Sequence, residues 1–347
     1  MRKLLLVVIL FLSQFIMAQP VATKMQPGSS ADGLVYFLPK TVIRFYLLVE
    51  KKTYTPGEYA KYAEKYLQLK GVSQEEQVTH SIVGCELTTL GVRDTSKCYA
   101  VKLKGKSQTA DVRLSDDGVL LAVNAEPMML KPRPPFVSGK PEQTGIPQYR
   151  NSEVLVAGSI SKRAELTVQQ IHELQEQRRM LVTGEADEMP QDEQQLQLML
   201  SHIDRECEQL MSLFTGSVRR DTVEQVITLC PEKEVEREVV FRLSKWLGLV
   251  DKDDLSGVPY YMTIKDLHPV QYVTPENKKR EGFYVNVPNT VQLTLFADDQ
   301  QLAVFSVPLA QFGFVELRDG EPFKRYVTHL TLNPATGAVS KMFSDDL

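Results

Sequence analysis

The sequence predicts an α+β fold, a predominantly antiparallel β body in two units with a long helical hairpin inserted between them. Three observations carry that reading. Apolar residues recur at helical spacing through 167–214, on both sides of the break Thr183-Gly184-Glu185-Ala186-Asp187-Glu188-Met189-Pro190. Stretches that alternate apolar and polar residues lie before and after that region. Between the first β stretch and the helices runs a segment holding Pro127, Pro132, Pro134, Pro135, Pro141 and Pro147, a density that excludes helix and central strand.

Taken in order, residues 1–18 read as a secretory signal. Arg2 and Lys3 form a basic start, 4–15 an apolar run, and Ile16-Met17-Ala18 a permissive cleavage site. The apolar run is too short to span a bilayer comfortably, so the mature chain is expected to carry no transmembrane segment. Residues 19–32, rich in Gln, Pro, Gly and Ser, read as a flexible leader. A β-rich unit is expected over 33–125. In it, 34–49 is a strand interrupted by an edge or bulge at Pro39, and Thr55-Pro56-Gly57-Glu58 opens a helix with Thr as cap and Pro at the first position. Tyr59, Tyr62, Ala63, Tyr66 and Leu67 form that helix's inner face, and Gly71 ends it. Stacking of a glycan on these tyrosines is the alternative to core packing. Strands follow over 79–90 and 98–104, with a turn at Arg93-Asp94. A hairpin joins 111–114 to 119–124 through Ser115-Asp116-Asp117-Gly118. Residues 126–150 form an extended linker or a strap over the surface.

The helical region, 151–218, is predicted to begin its first long helix at Thr167, where Gln170 completes a T-x-x-Q box. In the second helix Leu196, Met199, Leu200, Ile203, Cys207, Leu210, Met211 and Phe214 form one stripe, and Gly216 stops it. A Met/Leu stripe of this kind is core rather than a cofactor pocket. The final unit, 219–347, has strands at 238–244, 258–264, 291–295, 302–307 and 326–332. Turns fall at 251–257, at Asp298-Asp299 and at Asn333-Pro334-Ala335-Thr336-Gly337. An internal echo aligns the run Gly33 to Val42 with Gly282 to Val291, each with Pro and Thr at matching places, as expected of two related β units.

Composition is that of a globular protein, 43% hydrophobic and 24% charged. The 40 Lys+Arg and 44 Asp+Glu give −4, and loss of Arg2 and Lys3 with the signal makes it 38 − 44 = −6. That balance, with no basic patch interleaved with aromatics, argues against nucleic acid as a partner. The four cysteines allow three complete pairings. Cys207 lies on the apolar helix face, as a buried thiol would.

Several stretches together resemble an uncharacterised family of exported Bacteroidota proteins, domain of unknown function 4831. They are the runs Tyr36 to Thr41, Leu181 to Pro190, Leu213 to Gly216, Phe241 to Ser244, Asp254 to Pro259, Gly282 to Pro288 and Ala310 to Gly313. Where the family arrangement is Tyr-Arg-small-Pro, this chain has Tyr284-Val285-Asn286-Val287-Pro288. The resemblance implies export and a shared fold, and no activity.

Motifs of catalysis are missing. The five histidines form no H-E-x-x-H, and there is no G-x-S-x-G elbow, glycine-rich phosphate loop or C-x-x-C. His202 and Glu206 are one helical turn apart, a surface pair rather than a zinc site, which needs three or four ligands. The acidic turn between the helices does not match a calcium loop. No cofactor, metal or catalytic residue is therefore nominated. The expected role is that of an exported, non-enzymatic binding or assembly protein of the periplasm or envelope, whose partner is an envelope protein or a glycan. Its contact is expected at the hairpin tip, through Thr183, Gly184, Glu185, Asp187, Met189 and Pro190. The alternative is a hydrolase of envelope or dietary polysaccharide or peptide, which would need convergent carboxylates in a cleft.

Overall fold

The computed structural model describes residues 20–24, 33–103, 111–139, 152–190, 192–268, 282–319 and 327–345. The expected signal peptide, residue 19 and residues 25–32 of the leader, and 140–150 of the linker lie outside them.

Among the described residues, three antiparallel sheets and a helical region make up the fold. The first sheet is ordered β1 (Pro20–Lys24), β3 (Gln77–Leu103), β2 (Leu34–Thr55) and β6 (Ser217–Leu229). The second is ordered β11 (Gln300–Asp319), β10 (Gly282–Ala297), β9 (Val258–Asp266), β7 (Val235–Ser244) and β8 (Gly248–Val250). The third is ordered β13 (Val339–Asp345), β12 (Val327–Leu332), β5 (Leu120–Val123) and β4 (Val112–Leu114). The body is thus the expected antiparallel β-dominated α+β fold.

Two long hairpins organise it. β2 pairs with β3, and β10 with β11, along nearly their whole lengths. Each strand passes through two apolar cores. In the first core Ile43, Phe45 and Leu47 of β2 face Met262 and Ile264 of β9 and Leu293 of β10. In the second, Tyr36 and Leu38 of β2 meet Leu120, Phe283, Val285 and Leu330. Both cores draw on residues from before and after the helices. Alternation sets which side chains go in, since successive strand residues face opposite ways.

The internal echo has a structural counterpart. Between Phe37↔Cys98 and Pro39↔Arg93, Leu38 alone opposes the four residues 94–97. Between Val287↔Phe314 and Asn289↔Leu309, Pro288 alone opposes the four residues 310–313. Both strands open on a glycine at positive φ, Gly33 at 139° and Gly282 at 150°. A proline cannot donate to the ladder, so a bulge beside it costs no extra hydrogen bond.

Where the two bulges meet lies a buried polar knot. Asn286, 1% exposed, donates through Nδ2 to the carbonyls of Pro39 and Thr336, each at 2.8 Å. Its Oδ1 accepts from Lys97 Nζ at 3.3 Å. Thr41, fully buried, donates its hydroxyl to Ala335 O (2.9 Å) and accepts from the Ala310 N–H (3.1 Å). Gln311 closes the knot: its Oε1 accepts from the Thr41 N–H at 3.0 Å, and its Nε2 donates to the carbonyls of Thr41 and Pro231 at 2.8 Å. Backbone carbonyls of the strands and turns around the bulges are satisfied here by side chains, as buried backbone groups require.

Several local expectations are corrected. Arg93-Asp94 is no turn. β3 runs through it, because both flanks stay paired with β2 and the Asp94 carboxylate holds the Ser96 N–H (2.9 Å) within the bulge. The helix expected from Thr55 is displaced, since β2 stays in register with β6 through Thr55↔Ser217. A 3₁₀ turn at Ala60–Tyr62 leads instead into the short α1 (Ala63–Leu67), which ends on Gln68 at φ 56° rather than at Gly71. Part of the leader is strand, for β1 covers the β3 edge over Tyr99–Leu103. Residues 217–229 and 339–345, not read as strands, are β6 and β13. The Ser115–Gly118 turn stands as expected, with the Gly118 N–H donating to Ser115 O at 2.9 Å.

Candidate functional site

The helices are α2 (Ser152–Val156), α3 (Ile160–Thr183) and α4 (Glu193–Thr215). α3 begins seven residues before the expected Thr167. Ser159 caps it, accepting from the Lys162 N–H at 3.2 Å. Thr167 is buried inside the helix, its hydroxyl turned back to Arg163 O at 2.8 Å.

A third apolar cluster holds the base of the hairpin. Ala164, Val168, Ile171 and Leu174 of α3 pack with Leu210, Leu213 and Phe214 of α4 and with Tyr59 and Ala63. The Tyr59 and Phe214 rings lie 5.3 Å apart. The tyrosine face is therefore core, not an open glycan platform. The Tyr59 N–H donates to Leu213 O (2.7 Å) and the Tyr54 hydroxyl to Thr215 O (3.1 Å), joining helices to the β2 end.

Of α3 and α4, the cluster draws on residues 164–174 and 203–214 only. Residues 175–183 and 193–202 continue past it, roughly 13 Å at 1.5 Å per residue. Arg178 of that distal part reaches across to α4, Nε to Asp204 Oδ1 at 2.6 Å, and Leu181 is buried, but apolar surface is left open. Val182 and Leu198 are each 58% exposed, Met189 45% and Met199 38%.

The tip residues nominated from sequence all fall on one ordered turn. Thr183 ends α3, its hydroxyl donating to Arg179 O at 3.0 Å. Gly184 adopts φ 77° and returns its N–H to Met180 O, a left-handed cap open to glycine at little cost. Glu185 accepts from Arg179 Nη1 at 2.7 Å, and Arg179 grips Glu176 from its other side. Asp192 starts α4 by accepting from the Gln195 N–H at 2.7 Å. Asp187 and Met189 point outward and Pro190 is half-buried. The structure thus brings the six residues together and gives Thr183, Gly184 and Glu185 capping or pairing work.

Nothing at the tip resembles a reaction centre. Among the described residues no group of three or more His, Cys, Asp and Glu is placed to hold a metal. Cys85, Cys98, Cys207 and Cys230 are free thiols. Burial pushes the Cys85 thiol up to about 11, which keeps it protonated and a poor nucleophile at neutral pH. A shallow, open depression of about 460 Å³ sits at the hairpin base, lined by Glu153, Val156, Ala157, Lys162 and Leu166. No helix among the described residues is long and apolar enough to cross a membrane.

Sequence reasoning missed one charged cluster on the first sheet, formed by Arg133, Glu86 and Glu224 around Tyr46. The only local signal for it is an arginine set between prolines.

Compared with known proteins, the chain matches a family model described as Domain of unknown function (DUF4831) over residues 32–340, and it belongs to that family. No curated protein and no solved structure matches it.

Proposed function

We propose that this member of the DUF4831 family is an exported, non-enzymatic binding or assembly protein of the periplasm or envelope, and that the distal hairpin is its contact surface. The observation that supports this is the capped turn held beyond the third core, with Val182, Met189, Leu198 and Met199 exposed on the distal hairpin and acidic Asp187 and Glu188 exposed at its tip. A monomer gains nothing from ordering such a projection unless something covers it. Exposed apolar side chains rimmed by charge are the usual makeup of a protein contact.

The test is capture from native envelope after mild cross-linking, comparing the intact chain with one whose residues 183–190 are replaced by a Gly-Ser turn. A stoichiometric partner should be lost on replacement while the unfolding transition of the body is unchanged. Capture that survives the replacement sinks the hairpin as the contact.

A further inference from the structure

The proline-rich segment 126–139 reaches the outer face of the first sheet through Arg133, and most of it stands in solvent. Met129 is 85% exposed and Val137 82%. Arg133 is different, with its side chain 19% exposed. Its guanidinium stacks 4.3 Å over the Tyr46 ring, donates through Nε to Glu86 Oε2 at 2.7 Å, and through Nη1 to Glu224 Oε1 at 2.6 Å.

The receiving surface is dictated by sheet register. Tyr46 lies opposite Glu86 on β3 and Val226 on β6, and Glu224 lies two residues along from Val226, opposite Leu48. Phe45 and Leu47 point into the first core, so alternation turns Tyr46 outward. On β6, Ile227 packs into that core and Glu224 faces the other way with Val226. An aromatic plate with a carboxylate on each side is thus built from three adjacent strands. It suits a planar cation with several donors, a shape that arginine has and lysine lacks.

The strap is prepared to present that cation. Arg133 sits between Pro132 and Pro134, and Pro135 follows. Proline fixes its own φ and pushes the residue before it into extended backbone, so Lys131, Arg133 and Pro134 are all held extended before binding. We propose that the outer face around Tyr46, Glu86 and Glu224 is a binding site for an extended arginine–proline peptide, filled in cis by the chain's own strap. Tethering gives Arg133 an effective concentration of the order of millimolar, so a free peptide competes only when the strap's arginine is removed. The inference is independent of the hairpin contact.

The test uses the full chain and a fluorescent peptide with the sequence of residues 126–139, titrated by polarisation. Wild type should bind it at least about tenfold more weakly than Arg133→Ala, whose site is empty. A second variant, with 128–138 replaced by Gly-Ser of equal length, should bind as Arg133→Ala does. If it fails to fold, Arg133→Ala still decides the matter. In the Arg133→Ala chain, adding Glu224→Gln should weaken the peptide about 10- to 100-fold, the usual worth of a charge-assisted hydrogen bond. A peptide whose arginine is alanine should lose binding by at least that factor, since the arginine makes both carboxylate bonds and the Tyr46 stack. Equal binding to wild type and Arg133→Ala, indifference to the peptide's arginine, or no binding to either variant overturns the proposal.

Discussion

Asn286→Ala is the substitution that tests the architecture most directly. Asn286 is 1% exposed and its Nδ2 serves two carbonyls, Pro39 O on the first hairpin and Thr336 O in the turn after β12. Alanine leaves both carbonyls buried beside a space shaped for an amide. Each buried acceptor left unmade costs about 1–3 kcal/mol, so the pair costs roughly 2–6 kcal/mol. Denaturant unfolding of the two proteins in parallel reads this as a lower midpoint at an unchanged slope. Asn286→Asp refines the test, since it keeps the shape but sets a carboxylate against two carbonyl oxygens. Lys97, 3.3 Å from Oδ1, is the neighbouring cation that would partly offset the charge. The Asp variant should therefore be at least as unstable as the Ala variant at neutral pH, and should recover as acid protonates it and restores one donor. A loss for Asn286→Ala within about 0.5 kcal/mol, the range of an ordinary surface change, would refute the reading of this residue as the link between the two hairpins.

Two further outcomes follow from the same geometry. At Gly184 (φ 77°) an added Cβ meets nothing within 4 Å, so Gly184→Ala should cost only the left-handed strain, about 1 kcal/mol. At Gly337 (φ 72°) a Cβ would lie 2.7 Å from Pro39 Cδ and 3.0 Å from Asn286 Nδ2, so Gly337→Ala should cost clearly more in the same unfolding assay; equal costs would mean the knot is loose. Burial raises Cys85 to about 11 and Tyr99 to about 12, and raises Tyr36 as well. The folded chain keeps these protons longer than the unfolded one, so their contribution is complete below about pH 9 and is lost as pH climbs through 11 to 12. Unfolding midpoints should fall over that window, less steeply in Tyr99→Phe, and a midpoint flat to pH 12 would count against it.

What could be read from sequence was chemistry that acts locally. The α4 stripe, the Ser115–Gly118 turn and the Asn333–Gly337 turn need no distant partner to be recognised. Arg93-Asp94 misled because the residues that bulge a strand are those that turn a chain. Only pairing of Pro39 and Phe37 on the far side distinguishes the two. β6 was missed for a related reason: it is an edge strand whose Arg219, Arg220, Glu224 and Gln225 are placed by register with β2, not by an alternation of its own. In the same way the Arg133 seat is spread over residues 46, 86, 133 and 224, which no window of sequence contains.

The stretches that resemble the family do not carry equal weight for function. Those around Pro39-Lys40-Thr41, Asn286-Val287-Pro288 and Ala310-Gln311-Phe312-Gly313 converge on the knot, where each has a structural task. Within the second of these stretches Asn286 is tied to both hairpins, with the Lys97 ammonium reaching its oxygen. Those stretches are accounted for by the crossing of two hairpins and need no ligand. The run Leu181 to Pro190 is remote from that crossing in the chain and open in the structure. Within it Leu181 is buried, Thr183 and Gly184 close the helix, and Glu185 is taken by Arg179. Subtracting these leaves Val182, Asp187, Glu188 and Met189 as the exposed residues without a task in the fold's core. If the hairpin makes the contact proposed for it, these are the side chains that touch the partner, and the capping residues matter only by holding them in place.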